Sequence, residues 1–333
     1  MIRDKILITG GCGFIGSAFV RYIVKRGYRP VVVDKVTYAG DLKRIAKVKN
    51  KIKFYKIDIC NKKSIDSVFW REVPQIVVNF AAQTHVDKSV HDAYSFVKTN
   101  IQGTQILLDI SKKYRVEKFI QISTDEVYGE IKRGKFHEES PLNPNNPYAV
   151  SKASADLLIK SYIRIFNFPA IIVRPSNNYG PWQYPEKFIP LAILRILKGS
   201  KIPVYGDGSH IREWLYVDDC VEGIFKILKL GKIGEIYNLG SGEETKNINI
   251  AKMILRIFNK KEDMIVFVKD RPGHDLRYSL DSNKAFREVK WRAKVSLEEG
   301  LSRMIEWSIK NKNWLFSKWA DVNNFYRKSI WNK

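Results

Sequence analysis

The chain reads as an α/β protein, a doubly wound parallel sheet joined to a second, smaller α/β unit. Three observations predict this. Short apolar runs alternate with helix-period stretches through the first half, the pattern of parallel βαβ units. A glycine-rich turn, "TGGCGFIG" (9–16), directly follows the first apolar run and opens a helix. From about Tyr179 the texture shifts to loops rich in proline, glycine and aromatic residues. A length of 333 residues exceeds one ordinary domain and accommodates both units.

In chain order, "KILIT" (5–9), "PVVVD" (30–34), "KIKFYKIDI" (51–59), "QIVVNFAA" (75–82), "KFIQIS" (118–123) and "AIIVRPS" (170–176) predict strands. Their near-continuous apolar character implies a sheet covered on both faces. The stretches 14–27, 62–73, 100–114 and 148–166 carry helical periodicity and supply the crossovers. "NNYGPWQYPEKFIP" (177–190) and "PVYGDGSH" (203–210) suit loops that close over a ligand. Residues 212–230 and 234–241 read as a further helix and strand returning to the sheet. Residues 1–178, with 211–242, are therefore assigned to the nucleotide-binding unit, and 179–210 with 243–333 to the substrate-facing one.

The bulk properties exclude several classes. No apolar run approaches the roughly 18 residues of a membrane helix. The N-terminus enters a strand pattern almost at once, which leaves no room for a signal peptide. Cys12, Cys60 and Cys220 are few and scattered, so neither a disulfide framework nor a metal site is expected, and a reducing cytoplasm is. A net charge of +23, with seven basic residues and no acid between Lys43 and Lys56, raises the question of nucleic acid. No basic stretch is interleaved with aromatics as in an RNA-binding module, and a lysine-rich solvated surface is the preferred reading.

At the cofactor end, Gly10, Gly13 and Gly16 allow a tight turn and close approach of the backbone to a pyrophosphate at the helix N-terminus. Asp34 ends the second strand, where a carboxylate binds the ribose hydroxyls of NAD and repels the extra phosphate of NADP; Lys35 beside it weakens that discrimination. Together these predict a Rossmann-type NAD site. Asp58 and Ile59 end the third strand in position to touch the adenine, and "NFAAQTH" (79–85), which includes Ala81 and Ala82, ends the fourth.

At the catalytic end, Tyr148 and Lys152 stand four residues apart at a helix start and share a face. A lysine ammonium beside a phenol, helped by a nicotinamide cation, lowers the phenol pKa so that it can take a proton from a substrate hydroxyl. "ISTDEVYG" (122–129) sets Asp125 and Glu126 side by side where a buried strand ends. Two readings stay open on the residues alone. Thr124 and Asp125 cap a helix with Glu126 solvated, or the two acids do chemistry together. Both acids can address one ligand only if the chain leaves the strand at about Ser123, since consecutive strand side chains face opposite ways.

"TGGCGFIG", "STDEVYG" and "YAVSK" resemble the extended short-chain dehydrogenase/reductase family. "VDKVTYAGDL", "AAQTHVDKSV", "TNIQGTQ", "SNNYGPWQYPEKFIP", "IREWLYVDD" and "DRPGHDLRY" extend the resemblance over nearly the whole chain, to the dTDP-glucose 4,6-dehydratases within it. The resemblance implies Thr124 at the C4 oxygen, Asp125 as acid at C6, Glu126 as base at C5, and Tyr148 with Lys152 oxidising C4. It implies NAD contacts from Phe14, Ile15, Thr37, Thr99 and Asn178 besides those above. Substrate contacts follow the same pattern: Thr84, Asn177, Glu186, Lys187, Pro203, Tyr205, Arg212, Asn247, Arg271 and His274, with Arg212 and Arg271 gripping a nucleotide-sugar diphosphate. A surface ion pair is the duller role for Glu186 and Lys187. Gln83 stands where family members more often carry Glu. The resemblance further implies a homodimer formed through helices near 90–115 and 148–167.

A nucleotide-sugar 4-epimerase or UDP-glucuronate decarboxylase of the same fold has no use for an acid at C6, so Asp125 favours dehydration. Thymine and uracil substrates are not separated by these motifs, which leaves a UDP-glucose dehydratase as an alternative. An NAD-binding regulator or nucleic-acid binder would need none of Asp125, Glu126, Tyr148 and Lys152.

Overall fold

The computed structural model describes residues 5–270 and 273–326. The strands are β1 (Ile6–Thr9), β2 (Val31–Asp34), β3 (Lys53–Lys56), β4 (Ile76–Asn79), β5 (Lys118–Ile122), β6 (Ala170–Pro175), β7 (Asn177–Tyr179), β8 (Ile202–Tyr205), β9 (Ile211–Tyr216), β10 (Ile236–Leu239), β11 (Glu244–Lys246) and β12 (Ile265–Val268). Seven form one parallel sheet in the order β10-β6-β5-β4-β1-β2-β3.

The two-residue period of β1 shows why the sheet is doubly wound. Ile6 and Ile8 join the core on one face and Leu7 joins the core on the other. Helices Phe14–Lys25, Val217–Leu230 and Asn283–Val289 cover the first face. Helices Lys62–Glu72, Gly103–Lys113 and Pro147–Phe166 cover the second. In helix Phe14–Lys25 the buried Phe19, Val20, Ile23 and Val24 recur at helical spacing, so the helix presents one stripe to the sheet. Trp291, fully buried, brings residues after 283 back onto this layer.

The second half adds two small sheets. β9 lies between β7 and β11, with Asn177 opposite Trp214 and Arg212 opposite Thr245. β8 pairs in parallel with β12, Val204 opposite Phe267. A third core packs here, from Ile189, Ile193, Trp214, Ile250, Leu301 and Met304 among others.

Several elements differ from the sequence reading. Residues 212–230, read as one helix, begin as strand β9, and the helix starts only at Val217. The stretches 177–190 and 203–210, read as loops, hold β7, the start of helix Phe188–Leu197 and the end of β8. The run 51–59 pairs only over Lys53–Lys56, and it is the sheet edge, with both lysines exposed rather than covered. Edge lysines of this kind block pairing with another chain. The helix expected over 100–114 is regular from Gly103 and is preceded by a wide π-helical turn, Val97–Gln102. Among the described residues no helix is long and apolar enough to cross a membrane.

In the main sheet β1 has β2 on one side and β4 on the other. The chain reverses its winding there, and the carboxyl ends of these strands open a crevice.

Candidate active site

That crevice is a cleft of about 400 Å³, within the usual size of a ligand site. Of the candidate cofactor, substrate and catalytic residues named above, all but one line it. The exception is Arg271, which lies outside the described residues.

The glycine turn forms one end. Gly10 has φ +67°, and a Cβ there would sit 2.6 Å from the Ala81 nitrogen. A Cβ on Gly16 would run into the Gly10 carbonyl oxygen, so glycine is required for the loop to pack against the helix it opens. Gly13 caps that helix without any side-chain hydrogen bond, which leaves its first N–H groups for a ligand. Asp34 accepts from Cys12 N at 2.8 Å and Val36 N at 2.7 Å, and its remaining lone pairs suit sugar hydroxyls. Lys35 and Asp58 form a 2.7 Å ion pair across the ends of β2 and β3. Burial pulls the Asp58 carboxyl upward, but the hydrogen bonds from Lys35 and Cys60 N outweigh it and leave it lowered. Farther in, Ser176 Oγ, Asn177 Oδ1, Asn178 Oδ1 and Gln183 Oε1 are buried with no hydrogen-bond partner among the described residues. Free backbone N–H groups at a helix start, a carboxylate with lone pairs to spare and orphaned polar atoms in one cleft fit a dinucleotide.

At the far wall, β5 ends at Ile122 and the chain turns into a single 3₁₀ turn, Asp125–Tyr128. Thr124 caps it, its Oγ1 accepting from Glu126 N at 3.3 Å. The cap and the acid pair, read from the sequence as rivals, coexist: the same turn that Thr124 caps brings Asp125 and Glu126 both to the cleft. Thr124 Oγ1 also donates to Asp125 Oδ1 at 3.2 Å, while Asp125 Oδ2 is buried without a partner among the described residues. Burial, with the charges of Glu126 and Glu213, pushes the Asp125 carboxyl up to about 8. Glu126 Oε2 accepts from Asn146 Nδ2 at 3.1 Å.

Asn146 also caps helix Pro147–Phe166 through Ala149 N, and that helix start delivers Tyr148 and Lys152. Lys152 is buried and donates to the Ile122 carbonyl at 2.6 Å; burial brings its pKa down to about 8, while Asp156 opposes the shift. The phenol of Tyr148 is raised rather than lowered, first by burial and then by the Glu126 charge, against a smaller opposing hydrogen bond with Thr124. The lysine-lowered phenol expected from the Tyr–Lys spacing is thus not what these residues produce by themselves.

The third wall comes from the second half of the chain. Lys187 Nζ donates to Thr84 O at 2.7 Å, and Tyr205 OH donates to Asp87 at 3.2 Å. Glu186 lies 3.7 Å from His85 and 3.8 Å from Lys88, and is buried rather than paired at the surface. Burial brings His85 down to about 4. Arg212 is held by the carbonyls of Ile211, Leu276 and Asp275 and stacks 4.4 Å from the Tyr278 ring, so its position is fixed before any anion arrives. His274 Nδ1 and His210 Nε2 lie 2.6 and 3.0 Å from the two oxygens of Asp270, their rings stacked at 3.7 Å. Sequence reasoning missed Arg44, Ser176, Gln183, Tyr184, Trp214 and Tyr326, which also line the cleft. Asn146 was missed too, although an Asn before Pro at a helix start is a legible cap signal.

Residues 7–304 match the family described as GDP-mannose 4,6 dehydratase. The chain is 41% identical to a dTDP-glucose 4,6-dehydratase of Neisseria meningitidis serogroup B, over 97% of each protein. The chain belongs to the dTDP-glucose 4,6-dehydratase family. A solved dTDP-glucose 4,6-dehydratase, DesIV of Streptomyces venezuelae with NAD bound, matches with a TM-score of 0.91 at 41% identity, covering 93% of this chain and 98% of that one. A UDP-glucose 4-epimerase of Thermotoga maritima also matches, with a TM-score of 0.87 at 33% identity over 92% of this chain and 99% of that one. Fold alone therefore does not separate dehydratase from epimerase. The side chains in the cleft must do so.

Proposed function

We propose that the chain is an NAD-dependent dTDP-glucose 4,6-dehydratase, which oxidises C4 of the sugar, eliminates water across C5–C6 and reduces C6 to give the 4-keto-6-deoxy product. The observation that carries this reading is the turn after β5, where two neighbouring carboxyls share one cleft and one of them, Asp125, holds its proton up to about 8. Bound NAD supplies the hydride acceptor for C4, the hydride donor for C6 and, while oxidised, a ring cation beside the Tyr148 phenol. Gly10, Gly13, Phe14, Ile15, Gly16, Asp34 and Thr37 would hold its phosphates and adenosine ribose, and Tyr148, Lys152 and Asn178 would face its nicotinamide end.

In this mechanism Thr124 hydrogen-bonds the C4 oxygen and Tyr148 takes the C4 hydroxyl proton, with Lys152 protonated beside it. The C4 ketone acidifies the neighbouring C5–H. Glu126 removes that proton, and Asp125 protonates the C6 hydroxyl so that it leaves as water. Glu126 then returns its proton to C5 as C6 is reduced. An epimerase leaves C6 untouched and gives a neutral Asp125 nothing to do. Lys187, Arg212, Asn247 and His274 serve the substrate diphosphate and its nucleoside.

The same reading includes a homodimer in the cytoplasm. Tyr94, Val97, Val150, Leu157, Ile165 and Phe166 are exposed apolar residues on the helices between 93 and 166, a surface that a second copy would cover. Cysteines that form no disulfide suit a reducing compartment.

The test is incubation with dTDP-glucose and UDP-glucose side by side, with products identified by mass. A 4-keto product one water lighter, formed faster from dTDP-glucose, is expected. A product of unchanged mass that differs only at C4 would overturn the assignment in favour of epimerisation.

A further inference from the structure

Arg44 lies in the basic run that composition reads as a solvated face, yet its side chain is among the largest fully buried ones in the protein. It sits at the end of a short 3₁₀ turn, Leu42–Arg44, and reaches three separate loops. Its Nη1 donates to Cys12 O at 2.8 Å, inside the glycine turn, and to Ala39 O in the loop after β2. Its Nε donates to Trp182 O at 3.0 Å, in the loop that follows β7. Its own carbonyl accepts from Arg21, on the helix that the glycine turn opens.

Two features set this arginine apart from a packing residue. It makes no ion pair among the described residues, and its Nη2 is buried without a hydrogen-bond partner among them. Its hydrogen-bond acceptors are all neutral carbonyls; the Asp41 and Asp34 carboxylates nearby only partly offset the burial of its charge, which stays lowered from the usual arginine value. Arg44 lines the same cleft as Gly10, Gly13 and Asp34. Trp182, whose carbonyl it holds, has φ +72°, a strained conformation for a tryptophan that needs outside support. The Trp182 ring packs against Trp307 and Trp314, and Trp314 Nε1 donates to Asp41, three residues before Arg44.

We propose that Arg44 is the cofactor-retention residue of this enzyme, a positioning residue. It clamps the glycine turn to the Trp182 loop, so that the N–H groups of Phe14 and Ile15 stay aimed at the dinucleotide pyrophosphate. Its charge, only partly balanced by Asp41 and Asp34, adds to the field that holds those phosphates. This rests on the NAD reading above. Lysine cannot replace it, because a point charge with no planar fork reaches one or two of the three carbonyls at once.

The experiment measures NAD itself. Wild type, Arg44→Gln and Arg44→Lys are purified, their retained NAD per chain is determined after denaturation, and NAD affinity of the stripped proteins is measured by calorimetry. Arg44→Gln is expected to retain little NAD and bind it at least tenfold more weakly, with activity restored by excess NAD and KM for the nucleotide sugar within about twofold of wild type. Arg44→Lys is expected to fall between the two. A folded Arg44→Gln chain with wild-type NAD content and affinity overturns the proposal. If Arg44→Gln does not fold, wild-type affinity in Arg44→Lys overturns it instead. A wild-type chain that takes up no NAD overturns the reading on which the proposal rests.

Discussion

Asp125→Asn separates the acid's chemistry from its effect on folding. The folded carboxyl holds its proton up to about 8, whereas an ordinary aspartate releases it near 3.8, so the folded state binds an extra proton across that window. For a group raised in this way, its contribution to stability is fully present below the unfolded value and is lost as pH rises through the folded one. Between pH 5 and pH 8 the wild type should lose on the order of 4 kcal/mol from this residue alone. Asparagine cannot ionise and lacks that slope. Urea melts of the two proteins at pH 5 and pH 8 should therefore diverge, with the variant gaining relative to the wild type by several degrees in matching thermal melts. On catalysis the effect is opposite, because the amide donates no proton to the C6 oxygen. Water loss should slow by about 10²–10⁴-fold, while C4 oxidation continues and the near-ultraviolet band of reduced nicotinamide builds up. In the wild type, turnover should fall as pH rises through about 8, since the acid form is then lost. Parallel stability–pH curves for the two proteins would refute the reasoning, because Asp125 would then be ionised in the folded state.

Tyr148→Phe should abolish C4 oxidation itself, so no reduced-nicotinamide band appears on mixing with substrate. Glu126→Gln should allow that band to form but block solvent deuterium uptake at C5, read by mass; deuterium incorporation at the wild-type rate would assign the base elsewhere. Gly16→Ala places a methyl against the Gly10 carbonyl and should cost at least about 1–3 kcal/mol of stability by overpacking, with NAD lost on gel filtration. Leu157→Glu, on the exposed apolar face of helix Pro147–Phe166, should shift sedimentation from dimer to monomer. Unchanged sedimentation would remove that face from the interface.

The main sheet was legible because all its strands but β3 are buried and so appear as apolar runs that local sequence cannot hide. β3 was read too long because "KIKFYKIDI" has a strand's composition throughout, whereas pairing with β2 stops at Lys56. The small sheets were not legible: Arg212 meets Thr245 and Val204 meets Phe267 only through tertiary packing, and the three-residue β7 and β11 carry no periodicity. In the cleft, motif residues stood out because their types are costly to bury without a use. Arg44 did not stand out. Its neighbours Lys43, Lys47 and Lys49 make it look like one more surface cation, and only the fold reveals that it points inward. The Tyr148 phenol shows a different limit, since spacing gives the Tyr–Lys pair but not the competing influence of burial and Glu126.

The main sheet is completed late. β10 closes its edge beside β6, yet it is synthesised only after β7, β8 and β9 have left for the other half. A nascent chain that has emerged only through Pro175 carries β6 as an open edge, apolar over Ala170–Val173, and one sheet face lacks helix Val217–Leu230. A fragment cut after β6 would therefore be prone to aggregate through that edge. Because β10 follows β7, β8 and β9 in the chain yet closes the main sheet, a cut after β6 leaves that sheet without its last strand.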